Sequence, residues 1–321
     1  MDESLLDLMI CRIPGIKDRE KIELQKKFDR EDDFSMLSMK DIQGILGREL
    51  KTRPWKMAEI KALAEKDAVY AGKFGIRQVS WRDLDYPPLL REIFDPPAML
   101  FYRGVLPNPE SPLVAMVGTR KPSPQAAVRA FTLGRHLGEA GIPVVSGLAL
   151  GIDSMAHRGN LDANAPTVAV LGSGPDMVYP SSNRDLARRI LENGGIIFSE
   201  YPPGTRPYKG NFPARNRIIS ALSRGVLIVE APEKSGALIT AEFALEQGRD
   251  LWVDGAFVSS PRSAGTRALV EDGAMSISSA EDIIAEWALT GFSVNREKKD
   301  ATRSEGANLA ASMAEYLDIR M

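Results

Sequence analysis

The chain has 321 residues, 44% hydrophobic and 26% charged, with a net charge of −2, the profile of a globular protein with one large domain and one or two small ones. A single cysteine, Cys11, excludes an intramolecular disulfide and a cysteine-rich zinc site, and the two histidines, His136 and His157, make no metal-spacing motif. The acidic start has no signal-peptide architecture and no apolar run reaches membrane-span length, so a cytoplasmic protein with no cofactor or metal is expected.

Residues 1–75 read as short helices: Leu5–Ile10, then Ile22–Phe28, then runs at 40–50 and 55–71. The turn Ile13-Pro14-Gly15-Ile16 resembles a helix-hairpin-helix or SAM-like element whose amides can face a phosphate. It is degenerate, because Lys17 and Asp18 stand where a second glycine belongs, and a bundle used for packing or protein contact is the simpler reading. Residues 76–112 change character. An edge strand is expected at Ile76–Val79, and Pro87-Pro88 and Pro96-Pro97 hold the chain extended, which predicts a connector laid on the next domain.

Over residues 113–290 apolar runs recur at Leu113–Val117, Pro143–Val145, Thr167–Leu171, Ile196–Phe198, Val226–Val229 and Leu251–Val253, most separated by helical stretches. Continuous hydrophobic strands alternating with helices predict an α/β fold, a doubly wound Rossmann-like parallel sheet. Residues 291–321 are expected to be a linker, polar over 295–308, and a short tail with one last helix at Leu309–Tyr316.

In such a sheet ligands sit at the carboxyl ends of strands, where helix starts present free amides. Three small-residue turns fall there: Gly118-Thr119-Arg120-Lys121-Pro122-Ser123, Ser146–Asp153, and Gly172-Ser173-Gly174-Pro175. Singly each reads as a turn needing glycine for geometry; together, with Arg120 beside them, they predict a phosphate-binding rim. There is no Gly-x-Gly-x-x-Gly opening the first helix, no Walker-type phosphate loop and no Gly-x-Ser-x-Gly elbow. Asp153 and His157 could form an acid–base pair and Glu230 could bind a ribose, but a structural role is preferred for each.

The most distinctive stretch is 200–217, Glu-Tyr-Pro-Pro-Gly-Thr-Arg-Pro-Tyr-Lys-Gly-Asn-Phe-Pro-Ala-Arg-Asn-Arg. Its four prolines predict neither strand nor helix but a long, stiffened loop. Residues 200–224 hold five cations, Arg206, Lys209, Arg215, Arg217 and Arg224, against Glu200 alone, so an acidic protein still owns one basic strip. Tyr201, Tyr208 and Phe212 lie between the cations, and cations with ring faces suit a single-stranded polynucleotide. A solvated loop with internally paired arginines is the plainer alternative.

Read together, the stretches Val117–Ser123, Val145–Gly159, Ala169–Gly174, Tyr179–Arg184, Ser199–Gly204, Gly210–Ser220 and Ser235–Ala241 resemble the DprA/Smf family of DNA-processing proteins, in family order over about 110–250. The resemblance implies a homodimer that binds single-stranded DNA and loads RecA onto DNA coated by single-strand-binding protein, in natural transformation or DNA processing, without catalytic turnover. It implies that Gly118, Thr119, Arg120 and Lys121 hold phosphate and that Ser146 and Gly147 line the same pocket. Phe212 would stack on a base, with Lys209, Asn211, Arg215, Asn216 and Arg217 around it. Departures from the family pattern are Thr119 for a commoner serine, Asp254-Gly255-Ala256-Phe257 for a Pro-Gly pair, and a tail too short for the winged helix of many relatives. The alternative is a Rossmann-type enzyme acting on a nucleoside phosphate. A third reading makes the N-terminal helices the main interaction surface; against it, the DNA-binding reading expects 76–321 to bind without them.

Overall fold

The computed structural model describes residues 3–289; the linker and last helix expected beyond 290 lie outside them. The chain opens with five helices, α1 (Glu3–Arg12), α2 (Asp18–Lys27), α3 (Glu31–Ser35), α4 (Met39–Leu46) and α5 (Met57–Lys73). Leu6, Met9, Ile10, Leu24, Phe34, Ile42 and Ile60 close their apolar faces into a small core. The Pro14-Gly15 turn between α1 and α2 faces its own chain, because the Arg48 guanidinium donates to the Gly15 carbonyl (2.9 Å) and Thr52 lies against the glycine.

The rest follows as β1 (Arg77–Ser80), α6 (Pro88–Arg91), β2 (Met99–Gly104), β3 (Val114–Val117), α7 (Pro124–Glu139), β4 (Val144–Ser146), α8 (Ile152–Asp162), β5 (Val168–Leu171), α9 (Arg184–Glu192), β6 (Ile196–Ser199), α10 (Asn211–Ala221), β7 (Gly225–Ile228), α11 (Gly236–Glu246), β8 (Asp250–Asp254), α12 (Ala264–Glu271), β9 (Met275–Ile277) and α13 (Ala280–Leu289). All nine strands form one sheet, in the order β1-β2-β6-β5-β4-β3-β7-β8-β9. The seven from β6 to β9 are parallel and winding reverses between β3 and β7, so the doubly wound expectation holds. Every strand expected from an apolar run is present.

The segment 76–112 differs from a laid-on connector, because β2 pairs antiparallel with β6 and β1 with β2. It therefore extends the sheet itself. Side chains of β2 alternate as strand geometry requires: Leu100 and Tyr102 enter the core of the sheet, while Met99 and Phe101 enter the core of the helical bundle. On one side of the parallel sheet Val117, Val170, Phe198 and Ile228 meet α10 and α11; on the other, Val114, Met116, Leu227 and Val229 meet α7, α8 and α13.

His157 shows how α8 is seated. Its ring is fully buried and its Nδ1 lies 2.8 Å from the Thr167 hydroxyl, which itself donates to the Val144 carbonyl. The hydroxyl proton is thus committed, so Nδ1 carries the hydrogen and Nε2, with no partner, is bare. Burial pushes this imidazole down to about 3, from an ordinary 6.5. A histidine held neutral stabilises the fold fully above its unfolded pKa and loses that contribution as pH falls from 6.5 toward 3, at up to about 1.4 kcal/mol per pH unit. The stability advantage of wild type over His157→Gln, measured by urea unfolding, is therefore expected to shrink between pH 7 and pH 4; a constant difference would count against the buried neutral ring.

Candidate nucleic-acid interface

The switch of winding direction opens a crevice at the carboxyl ends of β3 and β7, where a doubly wound sheet binds its ligands. A cleft of about 580 Å³ lies there, lined by Gly118, Thr119 and Arg120 after β3, Tyr179 after β5, Lys209, Phe212 and Asn216 at the start of α10, and Lys234, Ser235 and Thr240 around the start of α11. Arg120 and the 209–217 segment, far apart in sequence, share this surface: the Arg120 guanidinium carbon sits 5.6 Å from the centre of the Phe212 ring. The Tyr179 ring lies 5.6 Å from Phe212 at 41° and is about half exposed. Tyr179 and Lys234 were not singled out from the sequence as site residues, and only the fold brings them to the rim.

The segment 200–217 is a loop only as far as Gly210. From Asn211 it is α10, contrary to the expectation drawn from Pro213. Proline at the third helical position loses no intrahelical bond, because the first amides of a helix have no partner in any case. The helical period then brings Phe212, Arg215, Asn216 and Ile219 onto one face, toward the cleft. The Asn211 side chain donates to the Gly172 carbonyl (3.0 Å) and that of Asn216 to the Gly236 carbonyl (3.1 Å), which fastens the helix start to two neighbouring turns.

The two arginines expected in the grip turn inward. Arg215 is 4% exposed, and its guanidinium donates to the carbonyls of Gly147 and Val170. Burial pushes it down to about 10, still cationic at neutral pH, with the Asp153 carboxylate opposing the shift. Arg217 is 8% exposed and spans three segments: its guanidinium lies 2.6 Å from Glu200, 3.6 Å from Asp95 and 3.9 Å from Asp18. Burial works against its charge, but Glu200, Asp95 and Asp18 outweigh burial and hold the pKa above its ordinary value. Both arginines therefore brace α10, although Arg215 still borders the cleft, whereas Arg120, Lys121 and Lys209 are exposed and of these Arg120 and Lys209 line it.

The small-residue turns are likewise spent on geometry. The Ser146 hydroxyl, fully buried, donates to the Met116 carbonyl (2.7 Å) and does not line the cleft. Gly147 lines a small pocket beside Phe212, and a Cβ there would meet the Arg215 guanidinium at 2.5 Å and the Asp153 carboxylate at 2.7 Å. The start of α7, expected to hold a ligand anion, is served from within: the Glu230 carboxylate accepts from the Ser123 amide (2.8 Å) and the Ser123 hydroxyl from the Ala126 amide (3.2 Å). The Glu230 carbonyl accepts from Thr119 (2.7 Å), which sets the turn that presents Arg120. Asp153 and His157 do not act as a pair; Asp153 accepts from the amides of Gly147 (3.1 Å) and Ala149 (3.4 Å), and burial raises its pKa against the pull of Arg215.

This is a doubly wound Rossmann-like protein whose switch-point cleft carries exposed cations around paired aromatic rings. The chain belongs to the DNA recombination-mediator protein A family, whose model matches residues 77–288. The match starts at the first residue of β1 and so takes in the connector strands with the sheet. DNA processing protein DprA of Bacillus subtilis is 35% identical over 289 residues, covering 89% of this chain and 96% of the relative. Protein Smf of Synechocystis is 46% identical over 210 residues, 63% of this chain, and the match spans about half (52%) of that relative. Among solved structures, DprA from Streptococcus pneumoniae superposes with a TM-score of 0.70 at 35% identity, covering 89% of this chain and 98% of that one. DNA processing protein A from Helicobacter pylori, described for that protein's single-stranded DNA binding mode, gives 0.60 at 32% identity over 68% of this chain and 97% of that one.

Proposed function

We propose that the chain binds single-stranded DNA in the switch-point cleft without turning it over, and, as a homodimer, loads RecA onto that DNA, with single-strand-binding protein as a further partner. One observation carries the DNA part: Arg120, Lys209 and the rings of Phe212 and Tyr179 converge on one rim. Cations neutralise phosphates there while ring faces take unpaired bases, and a duplex offers no free base face to stack. The RecA, single-strand-binding-protein and dimer parts rest on family membership. Binding without chemistry is supported by how the carboxylates are used, since Asp153 accepts from two backbone amides and Glu230, fully buried, accepts from the Ser123 amide through Oε2 while its Oε1 has no partner. The alternative, an enzyme acting on a nucleoside phosphate, needs one of these buried carboxylates brought to the cleft surface.

Titrating the chain with labelled oligothymidylate at increasing salt tests the DNA reading. With Arg120, Lys121, Lys209 and Lys234 as the phosphate contacts, log K is expected to fall against log salt with a slope of roughly −2 to −3, at about −0.7 per contact. Salt-independent binding, or equal affinity for duplex, removes the reading.

A further inference from the structure

The stretch between Gly204 and Asn211, an arch that brings Lys209 to the cleft, carries Arg206, Tyr208 and Lys209, all exposed. Its fastenings to the sheet come from one short segment after β5. The Asn211 side chain is held by the Gly172 carbonyl, the Thr205 carbonyl accepts from the Gly174 amide (2.9 Å), and the Gly204 amide donates to the Asp176 carboxylate, 2.9 Å from Oδ1 and 3.2 Å from Oδ2. Glycine at 174 makes this possible, because a Cβ there would sit 2.6 Å from Asp176 Oδ1 and 2.9 Å from the Pro202 carbonyl. Asp176 also reaches out of the sheet domain: the hydroxyl of Tyr70, in the last turns of α5, donates to its Oδ2 (3.1 Å). Tyr70 is itself steadied by Phe74, with ring centres 4.5 Å apart. A second polar link joins the same two bodies, since Arg217 of α10 approaches Asp18 of α2.

We infer that Asp176 is a positioning residue that lets the N-terminal helices set the arch and hence the reach of Lys209. This deepens the DNA-binding reading and rests on it. It gives the helical bundle a task at the cleft without requiring it to touch the ligand. A carboxylate suits the role, because it is acceptor-only on both oxygens and takes an amide and a hydroxyl at once, whereas an amide side chain would turn an N–H toward one of the two donors unless a single oxygen served both.

The test uses the full chain. Tyr70→Phe and Asp176→Ala are each measured for oligothymidylate affinity in the wild-type and Lys209→Ala backgrounds, with amide hydrogen exchange read at the non-proline residues of 204–210. Tyr70→Phe is expected to weaken binding about 2- to 10-fold in the wild-type background, the loss of one hydrogen bond, and Asp176→Ala, which removes the bonds from both Gly204 and Tyr70, by at least as much. Both losses are expected to be much smaller once Lys209 is gone, because neighbours acting through one contact are not additive. Exchange at Gly204 is expected to quicken in both variants. Equal losses in the two backgrounds, or unchanged exchange at Gly204 in Tyr70→Phe, overturns the inference. Should the wild-type chain bind no oligothymidylate, the DNA reading falls, and the exchange arm still decides whether Tyr70 braces the arch.

Discussion

Arg217→Ala is expected to lower the unfolding free energy by about 3–5 kcal/mol, the cost of leaving a buried charge without its partner. Glu200 would be that charge: its side chain is 10% exposed, and Arg217 is its cationic partner, with Nη1 at 3.1 Å and Nη2 at 2.6 Å. Asp95 would also lose its guanidinium neighbour, and its carbonyl the Nε–H bond at 3.0 Å. Replacing both members of the pair, as Arg217→Met with Glu200→Gln, is expected to recover much of the loss, since removing both charges avoids the stranded carboxylate. Urea denaturation of the two single variants and the double variant measures this. A near-neutral Arg217→Ala would mean that the cluster is wetter than the geometry describes, and that Arg217 is free to face a ligand after all.

The contrast between Arg217 and Arg120 shows which parts of the site could be read from the sequence. The strand-end turns were legible because glycines and hydroxyls at sheet ends have few other uses, and the apolar runs fixed which ends they were. The orientation of the arginines was not. Arg215 and Arg217 stand two residues apart in a basic, aromatic stretch, and composition alone counts them with Lys209. Only the helical state of 211–217 turns Arg215 onto the sheet and Arg217 toward Glu200, and Pro213 had argued against that helix. Tyr179 was hidden for a different reason: it comes from the loop after β5, and its approach to Phe212 is a product of strand order. The antiparallel β2 was masked by Pro96-Pro97 just before it, although the run Met99, Leu100, Phe101, Tyr102 suits a strand buried on two faces. One consequence is that removing residues 1–75 would bare Met99 and Phe101, so survival of DNA binding in 76–321 is a harder demand than the sequence suggested.

Phe212→Ala is expected to weaken single-stranded DNA binding by about 1–3 kcal/mol, roughly 5- to 150-fold, if its ring carries a base. The ring is not idle without DNA, however. Arg120 lies near its face and Tyr179 beside it, each 5.6 Å from its centre. A base must therefore join this cluster by displacing one neighbour or by stacking on Tyr179, the more exposed of the two rings. Tyr179→Ala is accordingly expected to cost a comparable amount, and the double variant less than the sum, because the two rings share one ligand face. Arg120→Ala separates the two kinds of contact: it should flatten the salt slope by about 0.7, whereas Phe212→Ala should lower affinity at every salt concentration and leave the slope unchanged. Fluorescence anisotropy with an oligothymidylate across a salt series reads all of these. If Phe212→Ala and Tyr179→Ala both bind as wild type does, with Arg120→Ala still weakened, the cleft reads phosphates alone, and its preference for unpaired strands has to come from shape.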